Sequence, residues 1–353
     1  MPDNQGDEDL PAPVFLHSSW RTSSTWLWQQ FRYLPETLCF YEPFHENLVK
    51  MTRQTAGEFD ANSWGSGHAQ TAPYFFEFLP LIRKGGGVRL YRQSFAYDRF
   101  IPDGGLTGSL TPDEIRYVAL LLRTACKNDR TPVLGFTRSL GRIAPLKSVF
   151  GGIHVFLLRN LWGQWMSVLD QRRKGGTSVF FYNILRVVAD QPNDRFLTDI
   201  HNFYFRRCVE LAARHRVLGQ LGALPPTQFN QLVFDLLPEG EMFEMFMAIH
   251  LYLYLHAFFC ADVAVDSTEL ARNPDYRRQC EEEVQQATGL AVDFSSARQE
   301  SLRIEMINGT IDWGRIEQHA SLAVASLAQH HDRAILDRLA DRMLQAAFAE
   351  SRR

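Results

Sequence analysis

Arg21 stands among hydroxyl residues: Ser18, Ser19, Thr22, Ser23, Ser24 and Thr25 surround it, with Trp20 the one interruption. The cluster follows a short apolar run, Val14-Phe15-Leu16, that reads as a buried strand. It precedes Trp26-Leu27-Trp28-Gln29-Gln30-Phe31-Arg32-Tyr33-Leu34, which reads as a helix. Strand, hydroxyl-rich turn and helix start together make a layout for holding an anion. The unpaired N–H groups and positive dipole end of the helix face the ligand, and hydroxyls and a guanidinium add donors. A plain group of N-cap residues has the same composition. The Gly-x-x-x-x-Gly-Lys-Ser/Thr loop of nucleoside triphosphate sites is absent from the sequence.

A second candidate lies further on. Arg159 directly follows Ile153–Leu158, the strongest buried-strand signal in the chain, and Ser167 comes eight residues later. A helix beginning near Leu161 would carry Ser167 about two turns in. Open α/β sheets bind ligands beyond the carboxyl ends of their strands. Arg159 and the loop after Leu16 would then share that edge.

The elements that must position these residues alternate. Leu38–Tyr41 is a second short apolar run, ended by Glu42-Pro43-Phe44-His45. Residues 46–80 read as irregular, a lid, an acceptor wall or variable surface. Gly85-Gly86-Gly87 precede Val88–Tyr91, a third strand by pattern. Thr111-Pro112-Asp113-Glu114 opens a helix to about Asn128. Pro132–Phe136 is a strand, Ala144–Phe150 a short helix and Asp262–Asp266 the last strand. Asn273-Pro274-Asp275 starts a helix that Gly289 stops. The pattern predicts an α/β fold of three layers, a parallel sheet flanked by helices. It reads as one domain over 13–353, with a helical insertion at about 183–260, a loop at Leu224-Pro225-Pro226 and a helical end at about 312–351.

Composition narrows the class. The 353 residues carry a net charge of −3, which argues against a nucleic-acid binder. Five lysines among 37 basic residues leave the rest arginine, the better bidentate partner of phosphate and sulfate, though biased composition gives the same excess. Cys39, Cys126, Cys208, Cys260 and Cys280 are odd in number and unpaired in spacing, as in a cytoplasmic protein with reduced thiols. Residues 1–12 read as a disordered leader, not a signal peptide. Met245–Cys260 is greasy but short for a membrane span, so a buried helix is expected and no transmembrane segment. The sequence leaves oligomeric state open, a homo-oligomer included.

Arg21-Thr22-Ser23-Ser24-Thr25-Trp26 resembles the 5′-phosphosulfate loop of sulfotransferases that use 3′-phosphoadenosine 5′-phosphosulfate (PAPS). That loop commonly reads Lys/Arg-Ser-Gly-Thr/Ser-Thr-Trp/Leu after a strand. His154-Val155-Phe156-Leu157-Leu158-Arg159-Asn160 with Ser167 resembles the same family's 3′-phosphate motif. Val263 to Glu269-Leu270, Asn273-Pro274 and Gly289-Leu290 are similar to its late strand and tail. The matches run in the family's order from residue 14 to 290. Two positions depart from it: Ser23 replaces the usual glycine, and Leu161 the usual proline.

The resemblance implies a P-loop NTPase-like fold and sulfuryl transfer from PAPS to a hydroxyl or amine, on the carbohydrate-type or bacterial branch. Thr22, Ser23, Ser24 and Thr25 would bind the 5′-phosphate, and Arg159 and Ser167 the 3′-phosphate. Trp26 would stack on adenine or pack in the core. Arg21, which stays protonated, would stabilise charge on the leaving phosphate. Glu42, in a Glu-Pro-Phe similar to the family's Glu-Pro-Leu/Phe, would take the acceptor's proton or else pair with Arg21 or Arg159. His45 and His17 are alternative bases. Arg172-Arg173-Lys174 reads as a basic loop, and His330-His331 as solvated helix surface, so no metal is expected. The acceptor, a carbohydrate, lipid or small molecule, is undetermined. The competing readings are a P-loop-like nucleotide kinase and a non-catalytic protein binding a nucleotide or glycan.

Overall fold

The computed structural model describes residues 12–59, 72–175, 179–189, 191, 193–214, 235–298 and 307–352. Residues 1–11 of the stretch read as a leader, and the Leu224-Pro225-Pro226 loop, lie outside them. The chain divides into two compact units, Met1–Leu158 with Cys260–Gln299, and Arg159–Phe259 with Glu300–Arg353. The second begins earlier than the helical insertion read from the sequence and takes in the C-terminal helices.

The first unit is built on five strands: β1 (Val14–His17), β2 (Thr37–Tyr41), β3 (Thr131–Phe136), β4 (Ile153–Leu158) and β5 (Val263–Asp266). They form one parallel sheet in the order β2-β3-β1-β4-β5. Strands covered on both faces read as apolar runs because neither face meets water. Val14, Phe15, Val133, Leu134 and Val155 are accordingly fully buried. The α/β, sheet-between-helices reading is therefore correct.

The helices of this unit are α1 (Ser24–Arg32), α2 (Arg53–Glu58), α3 (Pro112–Cys126) and α4 (Ile143–Phe150). Thr111 and Glu114 cap α3 reciprocally, satisfying two otherwise unpaired amides. Glu114 also takes Arg142 at 3.0 Å in a fully buried ion pair. That guanidinium lies 3.9 Å from the Phe44 ring centroid.

Two local expectations fail. Val88–Tyr91 is not a strand: Val88 makes a single antiparallel bridge to Ile82, and Leu90 turns to φ 64°. Gly86 and Gly87 have positive φ, and the amides of Gly87 and Val88 bond the carbonyls of Met51 and Leu48, so the segment closes a turn instead of entering the sheet. The stretch read as irregular holds α2 and two 3-10 turns, Glu46–Val49 and Phe76–Leu81.

The second unit contains α5 (Leu161–Gly175), α6 (Val179–Ala189), α7 (Arg195–Arg214) and α8 (Glu239–Cys260). After β5 the chain forms α9 (Ser267–Arg272) and α10 (Pro274–Thr288) of the first unit, stopped by Gly289 at φ 73°. It ends in α11 (Trp313–Leu327) and α12 (Arg333–Ser351) of the second. Among the described helices α8 alone is long and apolar enough to cross a membrane, and 89% of its apolar window is buried inside the fold. Trp165 packs on its Phe246 at 5.3 Å, and Tyr254 donates to Gln164 at 2.8 Å.

The basic triplet is not a loop. Arg172, Arg173 and Lys174 occupy the last turn of α5, where Arg173 meets Glu239 at 2.8 Å and Lys174 meets Asp170 at 2.8 Å. His331 is not plain solvated surface either. It lies between α11 and α12, 3.2 Å from His256 Nδ1 and stacked on Phe259. The helical pattern over 312–351 carries no sign of this break.

Candidate functional site

The loop leaving β1 runs along the carboxyl edge of the sheet. Its backbone is unusual: Arg21 has φ 66° and Ser23 φ 70°, while Thr22 and Ser24 keep negative φ. Alternation of this kind turns successive N–H groups to one side and forms an anion-binding concavity. Ser23 occupies a left-handed conformation, which glycine would adopt without strain. It caps α1 without a side-chain hydrogen bond. The first intrahelical bond is Leu27 N–H to Ser23 O at 3.1 Å. The amides of Ser24, Thr25 and Trp26 precede it and make no hydrogen bond to the described residues, as first-turn amides of a helix do, and helix starts of this kind can bind anions.

The side chains of the loop divide. Thr22 donates to Ser19 O at 2.7 Å and Thr25 shares a hydrogen bond with Tyr41 at 2.9 Å, so those hydroxyls hold the loop in shape. Ser18 is tied to Phe136 O at 2.8 Å. Trp26 is a core ring in this structure. It is 6% exposed, its indole donates to Ser296 at 3.0 Å, and it packs against Phe294. Arg21 is half-buried. A small pocket opens beside the loop, and its walls include His17, Ser18, Ser24, Tyr41, Glu42 and Gly135.

Glu42 ends β2 in a left-handed conformation, φ 47°, with its amide fixed to Gly135 O at 2.7 Å. Oε2 accepts from Arg138 at 3.0 Å and from the Thr137 amide at 3.2 Å, and the Thr137 hydroxyl adds a further hydrogen bond to the carboxylate. The ion-pair partner is thus Arg138, neither Arg21 nor Arg159. Burial pushes the Glu42 carboxyl above its ordinary range, against the Arg138 charge and the Thr137 hydrogen bonds.

The alternative bases are poorly placed for that role. His17 Nδ1 meets Ser139 Oγ at 2.7 Å, its Nε2 meets His154 Nδ1 at 2.9 Å, and His154 Nε2 meets Gly151 O at 3.0 Å. A carbonyl only accepts, so the tautomers follow in order: His154 donates to Gly151, His17 to His154, and Ser139 to His17. Both His17 nitrogens are committed, and burial next to His154 holds its pKa well below the usual value. His45 Nδ1 accepts the Asn47 amide at 3.1 Å, and burial beside Arg138 holds this ring down to about 3.

Arg159 and Ser167 belong to the second unit. Arg159 follows the last residue of β4, half-buried, and Asn160 Oδ1 caps α5 by accepting the Trp162 amide at 3.0 Å. Ser167 is fully buried in α5, about two turns in, where the sequence spacing puts it.

Arg138 and Ser139, central here, were not legible as site residues. Thr137-Arg138-Ser139 reads only as the end of a strand. The available signal was position: it leaves β3, which lies beside β1. No protein-family model, curated protein or solved structure matches this chain significantly.

Proposed function

We propose that the protein is a PAPS-dependent sulfotransferase acting on a hydroxyl or amine of a carbohydrate, lipid or small-molecule acceptor. The observation that carries this reading is the loop Arg21–Ser24, with alternating φ and three unpartnered amides at the start of α1. It is an anion cradle without the lysine or glycines of a triphosphate loop, and a small pocket joins it to the buried Glu42 carboxylate.

In the reaction the acceptor oxygen or nitrogen bonds to sulfur while the bond between sulfur and the bridging phosphate oxygen breaks. Negative charge grows on the departing phosphate, where Arg21 and the loop amides stabilise it. Glu42 takes the acceptor's proton, and burial, which raises its proton affinity, favours that role. The 3′-phosphate role of Arg159 and Ser167 comes from the motif they resemble.

The test is calorimetric titration with 3′-phosphoadenosine 5′-phosphate beside ATP and AMP. Binding should require the 3′-phosphate and weaken about tenfold or more in Arg159→Ala, the loss of a charge-assisted contact. Glu42→Ala should keep that affinity and lose about 10²–10⁴-fold in turnover. Preference for ATP would point to the kinase reading. Binding without turnover in any acceptor panel would point to a non-catalytic nucleotide binder.

A further inference from the structure

We infer that Arg138 is a positioning residue for Glu42, divided between two carboxylates so that Glu46 sets how firmly it holds the first. The inference rests on Glu42 being the base. Arg138 is 4% exposed at its side chain and is fixed from several directions. One terminal nitrogen meets Glu42 Oε2 at 3.0 Å and Thr137 Oγ1 at 3.2 Å. The other meets Glu46 at 2.8 Å and the Tyr97 hydroxyl at 3.3 Å. The guanidinium lies 5.4 Å from the Trp20 ring centroid and 5.3 Å from that of Tyr97. Tyr97 in turn donates to Glu46 at 3.4 Å.

This arrangement does two things to Glu42. It anchors Oε2 and so restricts rotation of the carboxylate. It also supplies a single positive charge to two negative ones. The Glu42 side chain is 4% exposed and that of Glu46 27%, so water screens the second more than the first. If Arg138 served Glu42 alone, the carboxylate would be a weak base. Sharing it with Glu46 preserves affinity for a proton. The other titratable groups around the pair are Tyr41 on β2, His45 beside Glu46, Tyr91, which burial raises, and Tyr97. His45 is held neutral and burial raises Tyr41, so neither contributes charge near neutral pH.

The experiment compares Glu46→Gln and Arg138→Lys with the wild type through the pH dependence of kcat/KM. Alongside it, the Glu42 carboxyl is titrated directly by carbon NMR in glutamate-labelled protein, assigned with Glu42→Gln. Glu46→Gln should move the acid limb and the Glu42 titration down by about one pH unit, and Arg138→Lys should move both up. Affinity for 3′-phosphoadenosine 5′-phosphate should be unchanged in Glu46→Gln. A purely structural clamp would lower stability and leave both midpoints in place, which would overturn the inference. Failure of the wild type to bind 3′-phosphoadenosine 5′-phosphate would instead overturn the sulfotransferase reading, and the carboxyl titration would still decide the clamp. Should Arg138→Lys not fold, opposite or absent movement in Glu46→Gln alone overturns the proposal.

Discussion

Three residues at the carboxyl edge of the sheet hold backbone conformations that side chains disfavour: Arg21, Ser23 and Glu42, at φ 66°, 70° and 47°. The left-handed region costs an ordinary L-residue roughly 1–2 kcal/mol because Cβ crowds the following carbonyl. Such strain persists where surrounding contacts over-determine it, and it gathers at functional sites. Ser23 makes no capping hydrogen bond that would compensate. Ser23→Gly should therefore raise stability by about 1 kcal/mol, read as a higher urea midpoint with an unchanged slope. A lower midpoint would mean that the serine hydroxyl contributes a contact worth more than the strain.

At the scale of elements, the anion loop is placed by the seating of α1 on the sheet. Gly135 of β3 makes that seating possible: a Cβ there would lie 2.8 Å from Trp28 Cδ1. Trp28 is itself 1% exposed and packs against Tyr41 at 4.8 Å, so it has little room to yield. Gly135→Ala should cost about 1–3 kcal/mol as an overpacked core, and it should weaken 3′-phosphoadenosine 5′-phosphate binding by displacing the first turn of α1. An unchanged urea midpoint would show that the indole turns aside freely.

Across the whole molecule, buried neutral histidines recur in both units. Burial holds His154 in the first unit, and His250 and His319 in the second, down to about 4. Their folded pKa values lie below the ordinary 6.5 of an unfolded histidine. The stability they provide is therefore full above pH 6.5 and is lost as pH falls toward 4, because the unfolded chain binds protons that the native one refuses. Asp194, Glu244 and Asp266, raised by burial, act in the opposite sense. Ring resonances isolate the histidine share better than an overall midpoint does. Those of His154, His250 and His319 should stay at their neutral-form positions from pH 7 to 5. Titration near 6.5 would contradict their enclosure.

The sequence by itself determined the alternating elements, the five short strands that β1 to β5 became, the capping of α3 and the buried character of α8. These follow from local rules: apolar periodicity, cap residues and glycine stops act over a few positions, and no distant partner has to be known. It also marked the loop around Arg21, because hydroxyl residues between a strand and a helix are legible in order. Tertiary structure decided the rest. Val88–Tyr91 has strand composition but bonds a turn, since the glycines before it and the carbonyls of Leu48 and Met51 set its path. Glu42 found Arg138, 96 residues away, and not Arg21 or Arg159. His17 lost its candidacy as a base to Ser139 and His154, which lie 122 and 137 residues away. An ion pair or a tautomer depends on which strands become neighbours, and in a parallel sheet those neighbours come from distant stretches of the chain.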